Sequence, residues 1–156
     1  MVLYNHTMIV TFSRGSKQKR NNVESLARFT ANKLMPRMAS KLSVEFYFVT
    51  NLFKREGVFG DCGYYEGDAV PRDFVIRLDA GIDEVDLLKT VAHEMVHVKQ
   101  IARNELKELI RTPYYRFHKE YYPKTIDYFD KPWEIEAHGR EEGLVVRWLE
   151  QRNFDE

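Results

Sequence analysis

Residues 93–97 read His93-Glu94-Met95-Val96-His97, the pattern H-E-x-x-H. On a helix, positions i and i+4 lie about 40° apart on one face, so both imidazoles can hold one cation from the same side. Glu94 sits about 100° from His93, off the ligand direction but within reach of a water beside that cation. Two imidazoles and a nearby carboxylate suit metal-assisted hydrolysis, with the carboxylate as general base. With 5 histidines and 15 glutamates in 156 residues, random order produces this pattern about 0.015 times. Context must therefore carry the reading.

A catalytic zinc takes three protein ligands and leaves one position open. The acids and histidine that follow at Glu134, Glu136, His138, Glu141 and Glu142 are the candidates for the third. On a helical wheel starting at Pro132, the apolar stripe is Trp133, Leu144, Ala137, Trp148, Val145 and Leu149, and Glu134, His138 and Glu141 fall within it. Glu136, Arg140, Arg147 and Glu150 fall on the polar face. Ionisable groups in an apolar stripe are costly unless they bind a metal or one another. Glu134 is therefore the expected third ligand, with Glu136 or His138 as alternatives. His138 is expected to hold a ligand in place, and Glu141 to hydrogen-bond His138.

These residues need two helices to carry them. Asp83 is an N-cap, with Glu84 and Asp86 in the first turn, for a helix over about 84–102. Its apolar arc is Leu87, Leu88, Val91, Met95, Val98, Ile101 and Ala102. His93 and His97 lie on the shoulder of that arc, Glu94 lies just inside it, and Lys89, Lys99 and Gln100 form the polar face. A last helix runs from about Asp130-Lys131-Pro132 to Gln151. Upstream, the spacing predicts a strand at 7–12 and a basic loop from Arg14 to Arg20. A helix then runs from Asn22 to Met35, ended by Pro36. Extended segments follow at about 43–50, 57–65 and 73–79, the middle one bent by Gly57, Gly60, Gly63 and Gly67. Residues 104–130 hold five of the nine tyrosines, with room for short helices. That tyrosine-rich stretch and His118 are the source of a donor to an oxyanion.

The pairing of an H-E-x-x-H helix with Trp133-Glu134-Ile135-Glu136-Ala137-His138 resembles the zinc metallopeptidases of the gluzincin type. Glu134 matches their later glutamate ligand and Ala137 their small residue; His138 stands where they usually have aspartate. The order strand (Phe74 to Leu78), then H-E-x-x-H helix, is also similar to small SprT-like and minigluzincin domains. The resemblance implies an α+β, zincin-like domain with a short mixed sheet of about three to four strands on the two helices. It also implies a Zn2+ cofactor and a protein or peptide substrate aligned by an edge strand beside the zinc.

At 156 residues, 44% hydrophobic and 31% charged, the chain can bury one core, and a single domain over 1–156 is expected. It carries 24 Lys+Arg and 24 Asp+Glu, which argues against a partner chosen by net charge alone. The balance is uneven, because residues 1–60 carry 10 basic against 3 acidic side chains. That leaves a weak reading of nucleic-acid docking through the basic N-terminal third. One cysteine, Cys62, excludes an internal disulfide and a cysteine zinc ribbon. No segment has the length of a membrane span or the form of a secretory signal, so an intracellular, cytoplasmic setting is expected. The leading function is a metallopeptidase with Glu94 as base. The alternatives are a zinc hydrolase acting on a non-peptide amide and a nucleic-acid-associated protease.

Overall fold

A computed structural model describes residues 7–65 and 69–155; Gly67 lies outside them. Strand β1 (Ile9–Ser13) leads through Arg14 and Gly15, both at positive φ, into helix α1 (Lys17–Leu34). A Cβ on Gly15 would come within 2.7 Å of the Phe48 ring, so only glycine fits that turn. The helix begins earlier than its sequence suggests. The Ser16 hydroxyl accepts from the Lys19 amide at 3.3 Å, and this cap turns Lys17–Arg20 into a first helical turn in place of a loop.

After a 3-10 turn at Ala39–Lys41 comes β2 (Ser43–Val49). A short helix α2 (Leu52–Glu56), absent from the sequence expectation, precedes β3 (Gly60–Tyr64) and β4 (Asp73–Asp79). The four strands form one mixed sheet in the order β1-β2-β4-β3. The pairs β1–β2 and β2–β4 are parallel and β3–β4 is antiparallel, which leaves β3 on an edge. In β2 and β4 alternate residues (Val44, Phe46 and Phe48; Phe74, Ile76 and Leu78) are fully buried. They pack with Val23, Leu26 and Ala27 of α1 and with Leu87, Val91 and Met95 of the next helix.

That helix, α3 (Glu84–Ala102), matches its expected bounds, with the Asp83 carboxylate accepting from the Asp86 amide at 2.9 Å. The last helix, α4 (Pro132–Asp155), packs directly on α3 through Ala92, Val96, Ala137 and Leu144. Between them, residues expected to include short helices form a second, antiparallel sheet of β5 (Leu106–Glu108), β6 (Tyr114–Phe117) and β7 (Glu120–Pro123), then a 3-10 turn at Tyr128–Asp130. Its aromatic residues bury against one another: Tyr115, Phe117 and Tyr122 all place their rings 5.0–5.8 Å from that of Trp133. The molecule is a small α+β domain with a mixed four-stranded sheet and four helices. Among the described residues, no helix is long and apolar enough to cross a membrane.

Candidate metal centre

The middle of α3 faces α4 and the start of β3. A Cβ on Gly60 would meet Thr90 Cγ2 at 2.7 Å and the Arg77 carbonyl at 2.8 Å, so a bare backbone lets the edge strand touch the helix one turn before His93. From that helix His93, Glu94 and His97 project with 8%, 5% and 8% exposure.

Three side chains converge. His97 Nε2 lies 3.2 Å from His93 Nε2, and the Glu134 carboxylate reaches both, with Oε2 3.1 Å from His93 and Oε1 3.0 Å from His97. A tetrahedral zinc with bonds of about 2.0–2.1 Å needs ligand atoms about 3.3–3.4 Å apart, and each of these three separations comes within a few tenths of an ångström of that. His93, Glu134 and His138 also each offer one ligand atom, all within 4.8 Å of one another. The His93–His97–Glu134 set is tighter, and the His138 side chain is 47% exposed.

The far nitrogens of both histidines are held. His93 Nδ1 is 2.9 Å from Glu141 Oε2, and His97 Nδ1 is 2.8 Å from Gln100 Oε1. Glu141 thus acts mainly on His93, because its distance to His138 Nδ1 is 3.5 Å. His138 instead meets the Tyr128 hydroxyl, which lies 2.9 Å from His138 Nε2 and donates to Glu134 Oε2 at 2.9 Å. Glu136 does not join the cluster. Its carboxylate accepts from Gln100 Nε2 at 2.8 Å and from Lys99 Nζ at 2.9 Å. Lys99 and Gln100, expected on an exposed face, are buried at 6% and 0% because α4 and residue Glu105 cover that side of α3.

The electrostatics follow from burial and proximity. Burial pushes the Glu94 carboxyl up to about 7, against the opposing pull of His97 and His93. Glu94 makes no hydrogen bond or ion pair among the described residues, and it lines two cavities of 510 and 300 Å³ that flank the cluster. Burial opposes charge on His97, but the Glu134 hydrogen bond and the Glu94 charge outweigh it and raise its pKa to about 9. Glu134 is itself held far below the carboxylate range: burial works against its charge, and hydrogen bonds from His93 and His97 overcome it. Burial and the bond to Glu134 keep the Tyr128 hydroxyl protonated well above its usual range. Cys62 lines the smaller cavity, and burial, then Glu94, keep its thiol protonated. His118 sits in the β6–β7 turn against Phe117, with rings 4.4 Å apart.

Sequence patterns bring out His93, Glu94, His97 and Glu134, include Tyr128 without singling it out, and miss Gln100. Tyr128 is one of five tyrosines in its stretch, and Gln100 looks like an ordinary solvated amide. No protein-family model, curated protein or solved structure matches this chain.

Proposed function

We propose that the chain is a zinc-dependent hydrolase of the zincin-like, gluzincin type, cleaving peptide bonds. The observation that carries this reading is the convergence of His93 Nε2, His97 Nε2 and Glu134 within 3.2 Å of one another, beside the buried carboxyl of Glu94. His93, His97 and Glu134 would hold the ion. Zinc bound there supplies a water acidified toward pKa ~7 and a Lewis acid for the substrate carbonyl.

The remaining steps belong to the protein's own groups. Glu94, with a pKa of about 7, accepts a proton from the attacking water and hands it to the leaving amine, as a base matched to neutral pH does. The Tyr128 hydroxyl, protonated and facing the cluster, donates to the oxygen that gains charge as the carbonyl becomes tetrahedral. Glu141 holds His93 by its second nitrogen. Gly60, Asp61 and Cys62 of the edge strand β3 line the cavity that holds His97 and Glu134, in keeping with a substrate strand lying alongside.

Metal analysis and a peptide-library digest test the reading together. The purified chain should carry about one zinc, and Glu94→Gln should keep it while hydrolysis falls by roughly 10²–10⁴-fold. A chain that binds no zinc, or a Glu94→Gln variant as active as wild type, would remove the reading. Zinc binding with no peptide cleaved would point to a non-peptide amide.

A further inference from the structure

The two histidines of the cluster have unlike supports. His93 leans on a partly exposed carboxylate, whereas His97 leans on a neutral amide with no exposure. We propose that Gln100 is a positioning residue that fixes the proton of His97 on Nδ1 and so presents Nε2 as a ready ligand. This rests on the zinc reading above.

The proton assignment follows from counting donors. Gln100 Nε2 lies 3.0 Å from the Trp133 carbonyl oxygen and 2.8 Å from Glu136 Oε1. A carbonyl only accepts, and the Glu136 carboxylate, gripped by Lys99 Nζ at 2.9 Å, accepts as well. Both amide hydrogens are therefore consumed, and the amide cannot be turned over without setting its oxygen against two acceptors. Oε1 is left facing His97 Nδ1 at 2.8 Å, and an oxygen acceptor requires hydrogen on that nitrogen. Once the hydrogen that Nε2 shares with Glu134 Oε1 at 3.0 Å leaves, the lone pair exposed is on Nε2, facing the space shared with His93 Nε2 and Glu134. Lys99 closes the far end through Glu105 Oε1 at 2.8 Å, so buried Lys99, half-buried Glu136, and buried Gln100 and His97 form one chain in which each group fixes the next. An amide suits this place because it does not titrate, so Nδ1 keeps its acceptor and its hydrogen whether Nε2 is protonated or bare. Glu136, weighed above as a ligand, becomes part of this support.

The test uses the full chain with zinc as the probe. Gln100→Leu keeps the volume and removes the acceptor; zinc affinity should fall by about 10–100-fold. In the zinc-loaded wild type, ¹⁵N-detected histidine spectra should show a His97 Nδ1 hydrogen shifted downfield and slow to exchange because it is bonded to Gln100 Oε1, and Gln100→Leu should lose both signatures. If Gln100→Leu does not fold, the wild-type spectrum decides. Wild-type affinity in Gln100→Leu, or a His97 Nδ1 that is bare or exchanges freely in the zinc-loaded wild type, would overturn the proposal. Absence of zinc from the wild type would instead remove the reading beneath it, and this proposal with it.

Discussion

If the cluster holds zinc as proposed, the entering ion must displace protons, and their number follows from the site. With a pKa of about 9, His97 is about 97% protonated at pH 7.5, its Nε2 hydrogen directed at Glu134. Zinc needs that lone pair, so at least about one proton must leave per ion bound. Glu94, at about 7, is about one-quarter protonated at the same pH and adds a little more when a cation arrives. Displacing a proton 1.5 pH units below its pKa costs about 2 kcal/mol at 1.36 kcal/mol per unit, roughly a 30-fold loss of affinity. Calorimetric titration of zinc into metal-free protein, in buffers of different ionisation enthalpy, reads the proton count directly. Affinity should also rise about tenfold per pH unit between pH 7 and 9. Release of less than about half a proton, or an affinity flat across that range, would refute the reasoning. The same groups set the stability of the metal-free chain. A raised histidine pKa gives stability that is complete below its ordinary value near 6.5 and lost as pH climbs through about 9. Raised Glu94 acts in the same direction through about 7. Metal-free protein should therefore melt lower at pH 9 than at pH 6.5, and a higher melting point there would contradict both assignments.

Three substitutions probe the framework and a fourth probes the site. Gly60→Ala drives a methyl to within 2.8 Å of the Arg77 carbonyl and should cost about 1–3 kcal/mol, or about 2–10 °C in Tm by calorimetry. Gly63→Ala meets only the Val75 carbonyl at 3.9 Å and should leave the melting point unchanged; equal losses in the two would discount the close-approach argument. Trp133→Ala removes the ring on which Tyr115, Phe117 and Tyr122 rest. It should destabilise by about 3–5 kcal/mol, and amide exchange in β5–β7 should accelerate far more than in β2 and β4. Tyr128→Phe should retain zinc yet lower turnover by about 10–10³-fold, with KM little changed; undiminished turnover would take the hydroxyl out of the reaction.

The parts of the fold that could be read from sequence are those in which one local signal agrees with another. Helix α3 has both a capping aspartate and an apolar period, and its bounds match. β4 alternates without interruption and matches as well. Ser16 was masked by the basic run around it, because a cap acts through one hydroxyl while four polar residues after it resemble a loop. The β5–β7 sheet was hidden for a different reason: its strands are three and four residues long and gain their burial from Trp133, a residue outside them. In the site, His93, His97 and Glu134 were legible because polar groups on an apolar stripe need a reason. Gln100 was not, since a polar residue on a polar face needs none until α4 covers it. Glu141 stood out on its stripe, but its contact with His93, 48 residues away, is set only by how α3 and α4 cross.

That crossing has a consequence for how such a protein can change over time. The helices that carry His93, His97 and Glu134 pack on each other directly, so the stretch between them need not hold them together. Three of its rings rest on the single aromatic ring of Trp133, and its tip at His118 and Lys119 is exposed. Lengthening a connector costs only about 0.6 kcal/mol per doubling. The hairpin can thus be extended or shortened while His93, His97 and Glu134 stay in register. The segment freest to change and the His–Glu cluster occupy separate parts of one short chain.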